Sequence, residues 1–148
     1  MKIYVFRRMM VTVMIMLLFS SFLRSQILEP VKWSFSAKVL KDNQAELIFT
    51  ASIDEGWHLY SQDIPENGPV PTSFTIEKSA DFKLIGKVTE PNPIKENDPN
   101  FGIVLKYFAK KAVFKQKIEI LSPKPFKIKG VLEYRSEEHT SELQSRQS

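Results

Sequence analysis

Apolar and polar residues alternate strictly in several short stretches of this chain. From residue 33, the apolar residues Trp33, Phe35, Ala37 and Val39 fall on one side of an extended backbone, with lysines and serines on the other. A period of two is typical of a β-strand with one buried face. A turn-forming segment at 41–43 follows, and the next alternating run has its inner face at Leu47, Phe49, Ala51 and Ile53. The two runs therefore predict a β-hairpin.

Six more short strands are predicted up to residue 134, at 57–61, 73–77, 82–88, 104–108, 112–121 and 126–134. Prolines, glycines and polar clusters separate them, and no stretch after residue 26 has the 3.6-residue apolar period of a helix. Eight short strands predict an all-β fold, an immunoglobulin-like antiparallel β-sandwich. Residues 90–102 are long for a simple connection, so they are a candidate functional loop.

Residues 1–25 have the order of charged, apolar and small residues that is typical of a secretory signal peptide. Arg7 and Arg8 precede an uncharged run that ends at Arg24, short of the about 20 residues that a bilayer span needs. A transmembrane helix or an uncleaved signal anchor is the alternative. We therefore expect an exported domain at 26–134.

The basic residues in excess belong mostly to the predicted signal. The formal charge of the whole chain is +4. Residues 1–25 have four basic residues and no acid, whereas residues 26–134 have 15 Lys and 14 Asp or Glu. The predicted domain is close to neutral, so its charge gives no indication of nucleic-acid binding.

The chain contains no cysteine. This composition excludes a disulfide framework, a thiolate nucleophile and a cysteine zinc site within the sequence. We find no phosphate-binding glycine loop, metal-ligand spacing or Ser/His/Asp arrangement, and we expect no cofactor or metal.

Few residues of the predicted domain suggest chemistry by themselves. His58 is its only histidine, and a single histidine beside Trp57 and Tyr60 is more often a packing residue than a general base. Asp54 and Glu55 precede a glycine, which favours a turn over a pair of catalytic carboxylates. The lysines at 115, 117, 127 and 129 fit the solvated face of the last two strands. From the residues alone, the task of this predicted sandwich stays open.

Several segments together resemble a known family. They are residues 53–65 (IDEGWHLYSQDIP), 71–74 (PTSF), 98–102 (DPNFG) and 105–108 (LKYF). They are similar to the N-terminal domain of the DsbD-type thiol:disulfide interchange proteins, over about residues 27–134. The segment 54–64 is the most specific part of this resemblance, and the segment 98–102 is a weaker match.

The resemblance implies an immunoglobulin-like periplasmic domain that passes electrons. The donor would be a membrane-embedded domain of the same parent chain, and the acceptors would be periplasmic thioredoxin-like disulfide proteins, in disulfide isomerisation and cytochrome c maturation. A pair of cysteines carries the electrons in this family, and a cap loop with an aromatic residue shields them. By position, Asp98, Asn100, Phe101 and Gly102 would form the cap loop, with Phe101 as its lid, and His58 and Tyr60 would line the cysteine site.

The family's cysteines directly follow a segment like residues 129–134, and this chain has none there. Residues 135–145 resemble the translation, codon by codon, of a widely used sequencing adapter. We therefore expect a domain truncated after Tyr134 and inactive as a reductase, with a non-native tail at 135–148; a native polar helical tail is the alternative. Loss of closing strands predicts an open core and an unpaired edge beside residues 126–134.

Two other functions are compatible with the residues. One is an exported immunoglobulin-like binding or adhesion module without redox activity, which the cysteine-free sequence favours. The other is a sugar-binding sandwich that uses Trp57 and Tyr60.

Overall fold

The computed structural model describes residues 29–99 and 102–138. The predicted signal at 1–25 lies outside the described residues. Within them the secondary structure is all β, and no helix suited to crossing a membrane is found. The ten strands are β1 (Val31–Val39), β2 (Gln44–Ile53), β3 (Trp57–Tyr60), β4 (Ser73–Ile76), β5 (Phe82–Thr89), β6 (Ile94–Asp98), β7 (Ile103–Phe108), β8 (Lys111–Ile120), β9 (Gly130–Glu133) and β10 (Ser136–Glu138).

The strands form two layers, and every pairing is antiparallel. The first layer is a four-stranded sheet in the order β1-β2-β8-β5, which we call the first sheet. The second layer consists of a four-stranded sheet in the order β10-β3-β7-β6, the second sheet, and of the separate β4–β9 pair. This arrangement confirms the predicted antiparallel, immunoglobulin-like β-sandwich.

The predicted hairpin joins β1 to β2 in continuous register from Val31 opposite Ile53 to Val39 opposite Ala45. Asp42 and Asn43 at its tip have φ angles of 57° and 56°. Positive φ at both central residues is the geometry of a type I′ turn, whose twist matches that of the flanking strands, and Asn and Asp accept it at small cost. The turn geometry is thus consistent with the continuous register of β1 against β2.

Two apolar clusters lie between the layers. In the first, Phe114 of β8 is fully buried and meets Leu59 and Phe108 of the second sheet. In the second, Leu47 and Ile118 of the first sheet pack with Phe82, and side chains of β4 and of residues 126–128 cover them. The first sheet therefore supplies one wall of both clusters, and the second sheet and the β4–β9 pair each cover one end of it.

Two predicted segments differ from the structure. Residues 126–129 are not a strand, although Phe126 and Ile128 pack inward and Lys127 and Lys129 are exposed, so only Gly130–Glu133 pairs as β9. The predicted loop at 90–102 contains β6, which pairs with β7. The strand was missed because four of its five residues are polar, and a strand exposed on most of its length has no apolar period.

The face predicted to be buried on β1 is covered only at its beginning. Val31 is buried and Trp33 is half-buried, whereas Phe35 is 64 % exposed and Val39 is 75 % exposed. An apolar groove of about 480 Å³ lies between this part of β1 and the β4–β9 pair. The core is therefore open on this side, beside residues 126–132.

Phe35 and Phe114 lie on either side of Phe49 in the first sheet. Their substitution should show that one end of the core is covered and the other is open. Phe114→Ala removes a fully buried ring and should lower the free energy of unfolding by about 3–5 kcal/mol. Phe35→Ala, on an exposed ring, should change it by less than about 0.5 kcal/mol. Urea unfolding followed by tryptophan fluorescence measures both, and equal losses would show that the core is not organised as described.

Candidate functional site

Strand β3 has a neighbour on each side, and this places the candidate residues. It pairs with β7, with Tyr60 opposite Tyr107, and with β10, with His58 opposite Glu137. Because side chains alternate along a strand, His58 and Tyr60 share one face of the second sheet, while Leu59 enters the core. The structure thus brings His58, Tyr60, Tyr107 and Glu137 onto one face.

Tyr60 is the best anchored of these residues. It is 5 % exposed, and its hydroxyl donates a hydrogen bond of 2.6 Å to Oε2 of Glu137. Arg135 holds the other carboxylate oxygen through Nε at 3.0 Å. Burial, then the hydrogen bond and the negative charge of Glu137, and then the charge of Asp98, raise the pKa of Tyr60 above its ordinary value. Tyr60 therefore stays a neutral hydrogen-bond donor at any physiological pH.

His58 and Tyr107 form a stacked pair next to Tyr60. Their ring centroids are 3.8 Å apart and the rings are 15° from parallel. The hydroxyl of Tyr107 donates a 2.8 Å hydrogen bond to Glu96 of β6. Burial, followed by this bond and the charge of Glu96, raises the pKa of Tyr107 to about 12. The stack gives His58 a packing role, and nothing in this geometry requires it to act as a base.

The turn between β6 and β7 is the segment expected to form the cap loop. Asp98 begins it, and its carbonyl oxygen accepts a 2.8 Å hydrogen bond from the amide of Gly102. Gly102 has a φ of 65° and is exposed, a conformation that glycine adopts without strain. Asn100 and Phe101, the predicted lid, lie outside the described residues.

Hydrogen bonds at both ends hold the proline-rich segment 61–72 next to the second sheet. The side-chain hydroxyl of Ser61 donates a 2.5 Å hydrogen bond to Glu90, whose second oxygen accepts the amide of Gln62 at 2.9 Å. At the other end, the hydroxyl of Thr72 donates to the carbonyl oxygen of Tyr60 at 2.6 Å. Gly68 lies so close to Ile64 and Ile103 that an added Cβ would be 2.6 Å and 3.0 Å from their methyl groups. The segment therefore packs against β7 and is hydrogen-bonded to the backbone of Tyr60.

Trp57 and Tyr60 do not form a common platform. Trp57 packs against the first apolar cluster, whereas the hydroxyl of Tyr60 is bonded to Glu137 on the opposite face of β3. A sugar-binding surface that uses both rings is therefore excluded by this geometry. Trp57 and Tyr60 are three positions apart in one strand, and residues an odd number of positions apart lie on opposite faces.

Several residues of the candidate site could not be predicted from the sequence. Glu96 and Glu90 are ordinary acids in what looked like a loop, and Glu137 belongs to the tail that resembles translated adapter. The structure nevertheless pairs Ser136–Glu138 with β3 as β10. The only available signal was the length of the segment 90–102, which indicated a functional region without naming its residues.

The face around Tyr60 combines tyrosine, histidine and carboxylate side chains. No cysteine is present, and no cluster of potential metal ligands is found in residues 29–99 and 102–138. What the arrangement provides is a half-buried position at residue 137, beside two tyrosines and a histidine.

The bond between Tyr107 and Glu96 makes a prediction about pH dependence. The pKa of Tyr107 is raised in the folded state, so its contribution to stability is complete below the ordinary value of 10.0 and is lost as pH rises through about 12. Glu96→Gln removes the charge and should move the ionisation of Tyr107 to lower pH. Absorbance at 295 nm during alkaline titration measures it, with Tyr107→Phe as the control that identifies the transition. An unchanged titration in Glu96→Gln would contradict the assigned contact.

Comparison with known protein families gives a match over most of the chain. The family model described as "Thiol:disulfide interchange protein DsbD, N-terminal" matches residues 24–136. The match covers the sandwich and extends to the first residue of β10. Neither a curated protein nor a solved structure matches the chain at a significant level.

Proposed function

Because this chain belongs to the family of N-terminal domains of the thiol:disulfide interchange protein DsbD, we propose that it is the larger part of a periplasmic electron-accepting domain. In its parent protein the domain works in disulfide isomerisation and cytochrome c maturation. The parent is anchored in the inner membrane, and the signal segment at 1–25 directs the domain out of the cytoplasm.

The reaction proposed for the parent is a dithiol–disulfide exchange. A membrane-embedded domain of the same chain reduces the domain's disulfide to two thiols. One thiolate then attacks the disulfide of a periplasmic thioredoxin-like protein and forms a mixed disulfide, which the second thiol resolves. Two electrons and two protons pass to the partner, and the domain returns to its disulfide form. No cofactor is needed.

The family match over residues 24–136 carries this proposal, and the position of the strand that follows Tyr134 supports it. The backbone directly after Tyr134 runs along β3, so that residue 137 lies opposite His58 and within hydrogen-bond distance of Tyr60. This is the segment that the family resemblance gives to the cysteine pair. The turn that begins at Asp98 lies close enough to influence the ionisation of Tyr60, as a shielding loop for such a site should.

Shielding is what a dithiol in an oxidising compartment requires. A thiolate reacts with any accessible disulfide, so a reduced pair survives only when surrounding groups limit access until the partner docks. Tyr60 and the fastened segment 61–72 supply a fixed wall, and Phe101 is proposed as the movable lid. The chain as given has no cysteine and is inactive as a reductase, because its segment 135–148 replaces the natural one.

Sequencing of the source gene past the codon for Tyr134 tests this function directly. We expect two cysteine codons a few residues apart, followed by a hydrophobic region with several membrane spans. A cysteine-free continuation would refute the redox function and would favour an exported binding or adhesion module with the same fold.

A single thiol placed at residue 137 tests the shielding. Since the chain has no other cysteine, Glu137→Cys can be compared with Lys38→Cys on exposed β1. Beside Tyr60, the thiol at the half-buried position 137 should react with Ellman's reagent about tenfold more slowly at pH 8, because the surrounding side chains limit access of the reagent. Unfolding in urea should abolish the difference. Equal rates in the folded chain would show that residue 137 is not shielded.

A further inference from the structure

The outer face of the first sheet is rich in lysine. Side chains at alternate positions of its four strands point away from the core, and the register places them in rows across the sheet, such as Lys32, Ser52 and Lys111. The lysines of this face are all exposed. We call this surface the lysine face, and its charged residues are Lys32, Lys38, Glu46, Lys83, Lys87, Lys111, Lys115, Lys117 and Glu119.

The direction of these side chains follows from the residues between them. Alternate residues of β8 from Ala112 to Ile118 are buried, so the lysines of that strand point outward. In β5, Val88 packs on the core beyond the register shift, so its neighbour Lys87 also points outward. The four strands all end before residue 121 and pair with one another, so the lysine face does not arise from the loss of strands after Tyr134.

The lysine face is positive although the predicted domain is nearly neutral. Seven lysines and two glutamates give the face a formal charge of +5, whereas the other 8 lysines and 12 acids of residues 26–134 give −4. Glu46 lies opposite Lys38, and its Oε2 is 3.2 Å from Nζ of Lys115. At the end of the face, Asp54 lies 3.8 Å from Lys32. Even with these carboxylates counted, lysines remain in clear excess on this side of the sandwich.

The kind of charge on the face indicates what it can bind. Residues 26–134 contain no arginine, so the face has no forked guanidinium that would grip one carboxylate or phosphate with two hydrogen bonds. Its ammonium groups are separate point charges, spread over a sheet about 14 Å wide and 30 Å long. Such an array matches a broad layer of anions better than one shaped ligand. The headgroups of an anionic lipid surface form a layer of this kind.

We propose that the lysine face binds electrostatically to the anionic headgroups of a phospholipid bilayer. The choice of a bilayer rests on the proposed function, which anchors the parent protein in the inner membrane. Each lysine close to anionic lipid strengthens such binding about fivefold, and the lipid also relieves the repulsion among the lysines. The site around Tyr60 is on the outer face of the other layer, so it points away from the bilayer and stays accessible to a periplasmic partner.

A fluorescent label on a single thiol reports whether the lysine face meets lipid in the whole chain. Because the chain has no cysteine, Ser52→Cys places a bimane label between Lys32 and Lys111. Thr75→Cys places the control label on exposed β4, in the other layer and facing away from the core. The vesicles are phosphatidylcholine alone or an equal mixture of phosphatidylcholine and phosphatidylglycerol. Any attachment through residues 1–25 is the same for both labels, so a difference between the labels reports the orientation of the domain.

Acrylamide, an uncharged quencher, measures the accessibility of each label. On the anionic vesicles, quenching should be about threefold weaker at residue 52 than on neutral vesicles and should be unchanged at residue 75. Sodium chloride at about 0.5 M should remove the protection, because it screens the charges. Equal quenching at residue 52 on both kinds of vesicle would overturn the proposal, and so would equal protection of both labels, which indicates adsorption without orientation.

Two triple substitutions separate the lysine face from the charge of the chain as a whole. The first set, on the face, is Lys83→Gln, Lys111→Gln and Lys117→Gln. The control set, at exposed lysines elsewhere, is Lys78→Gln, Lys95→Gln and Lys127→Gln. Only the first set should restore quenching at residue 52, and circular dichroism verifies that both sets keep the sheet. An equal effect of the two sets would show that total charge, and not this face, is responsible, which would overturn the proposal.

The same labels identify a different occupant of the lysine face. Protection of residue 52 by soluble polyglutamate but not by anionic vesicles would show that an acidic polypeptide binds there and would overturn the lipid assignment. Protection that grows with protein concentration without vesicles would assign the face to a second copy, with the same consequence. The outcome is distinct from the test of the proposed function, because cysteine codons after Tyr134 support the exchange reaction whether or not the face binds lipid.

Discussion

The antiparallel pairing of β2 with β8 supports both layers of this protein. It runs without interruption from Gln44 opposite Glu119 to Ser52 opposite Lys111, in the middle of the first sheet. A shift of one residue would turn Phe114 and Ile118 to solvent and bring lysines into the core. Because both apolar clusters rest on this pair, the positions of the second sheet and of the β4–β9 pair follow from its register.

A buried polar residue marks the one irregularity in this sheet. Gln116 of β8 faces inward and is 2 % exposed, yet its side-chain amide donates to the carbonyl oxygens of Ile85 and Lys117, at 3.0 Å and 2.7 Å. The register of β5 against β8 shifts between Ile85 and Thr89, where Gly86 has a φ of 68°. The glutamine satisfies a carbonyl group that the bulge leaves without a ladder partner, so the bulge costs little in unpaired polar groups.

The candidate site and the groove depend on different kinds of contact. At the site, side-chain hydrogen bonds from Tyr60 and Tyr107 to carboxylates and the fastening of Ser61 by Glu90 hold each part in place. At the groove, the apolar walls are present but a strand edge is unpaired. The match to the DsbD N-terminal family covers both regions, and the first is where we propose that the exchange site of the parent protein lies.

The amino-acid sequence by itself determined the fold class, the β1–β2 hairpin and the faces of β2 and β8, because a period of two and a turn with Asp and Asn depend only on neighbouring residues. The family, and with it the redox function proposed for the parent, was also predicted from short motifs around residues 53–65. Only the tertiary structure decided that Glu96 and Glu90 anchor the site and that β6 and β10 are strands. A polar strand is held by backbone hydrogen bonds to its neighbour, which any side chain permits, so it leaves no periodic signal. The alternation in β1 predicted an apolar face along the whole strand. Whether such a face is buried depends on the residues that lie opposite it. Beyond Trp33, the described residues leave that face open as the groove.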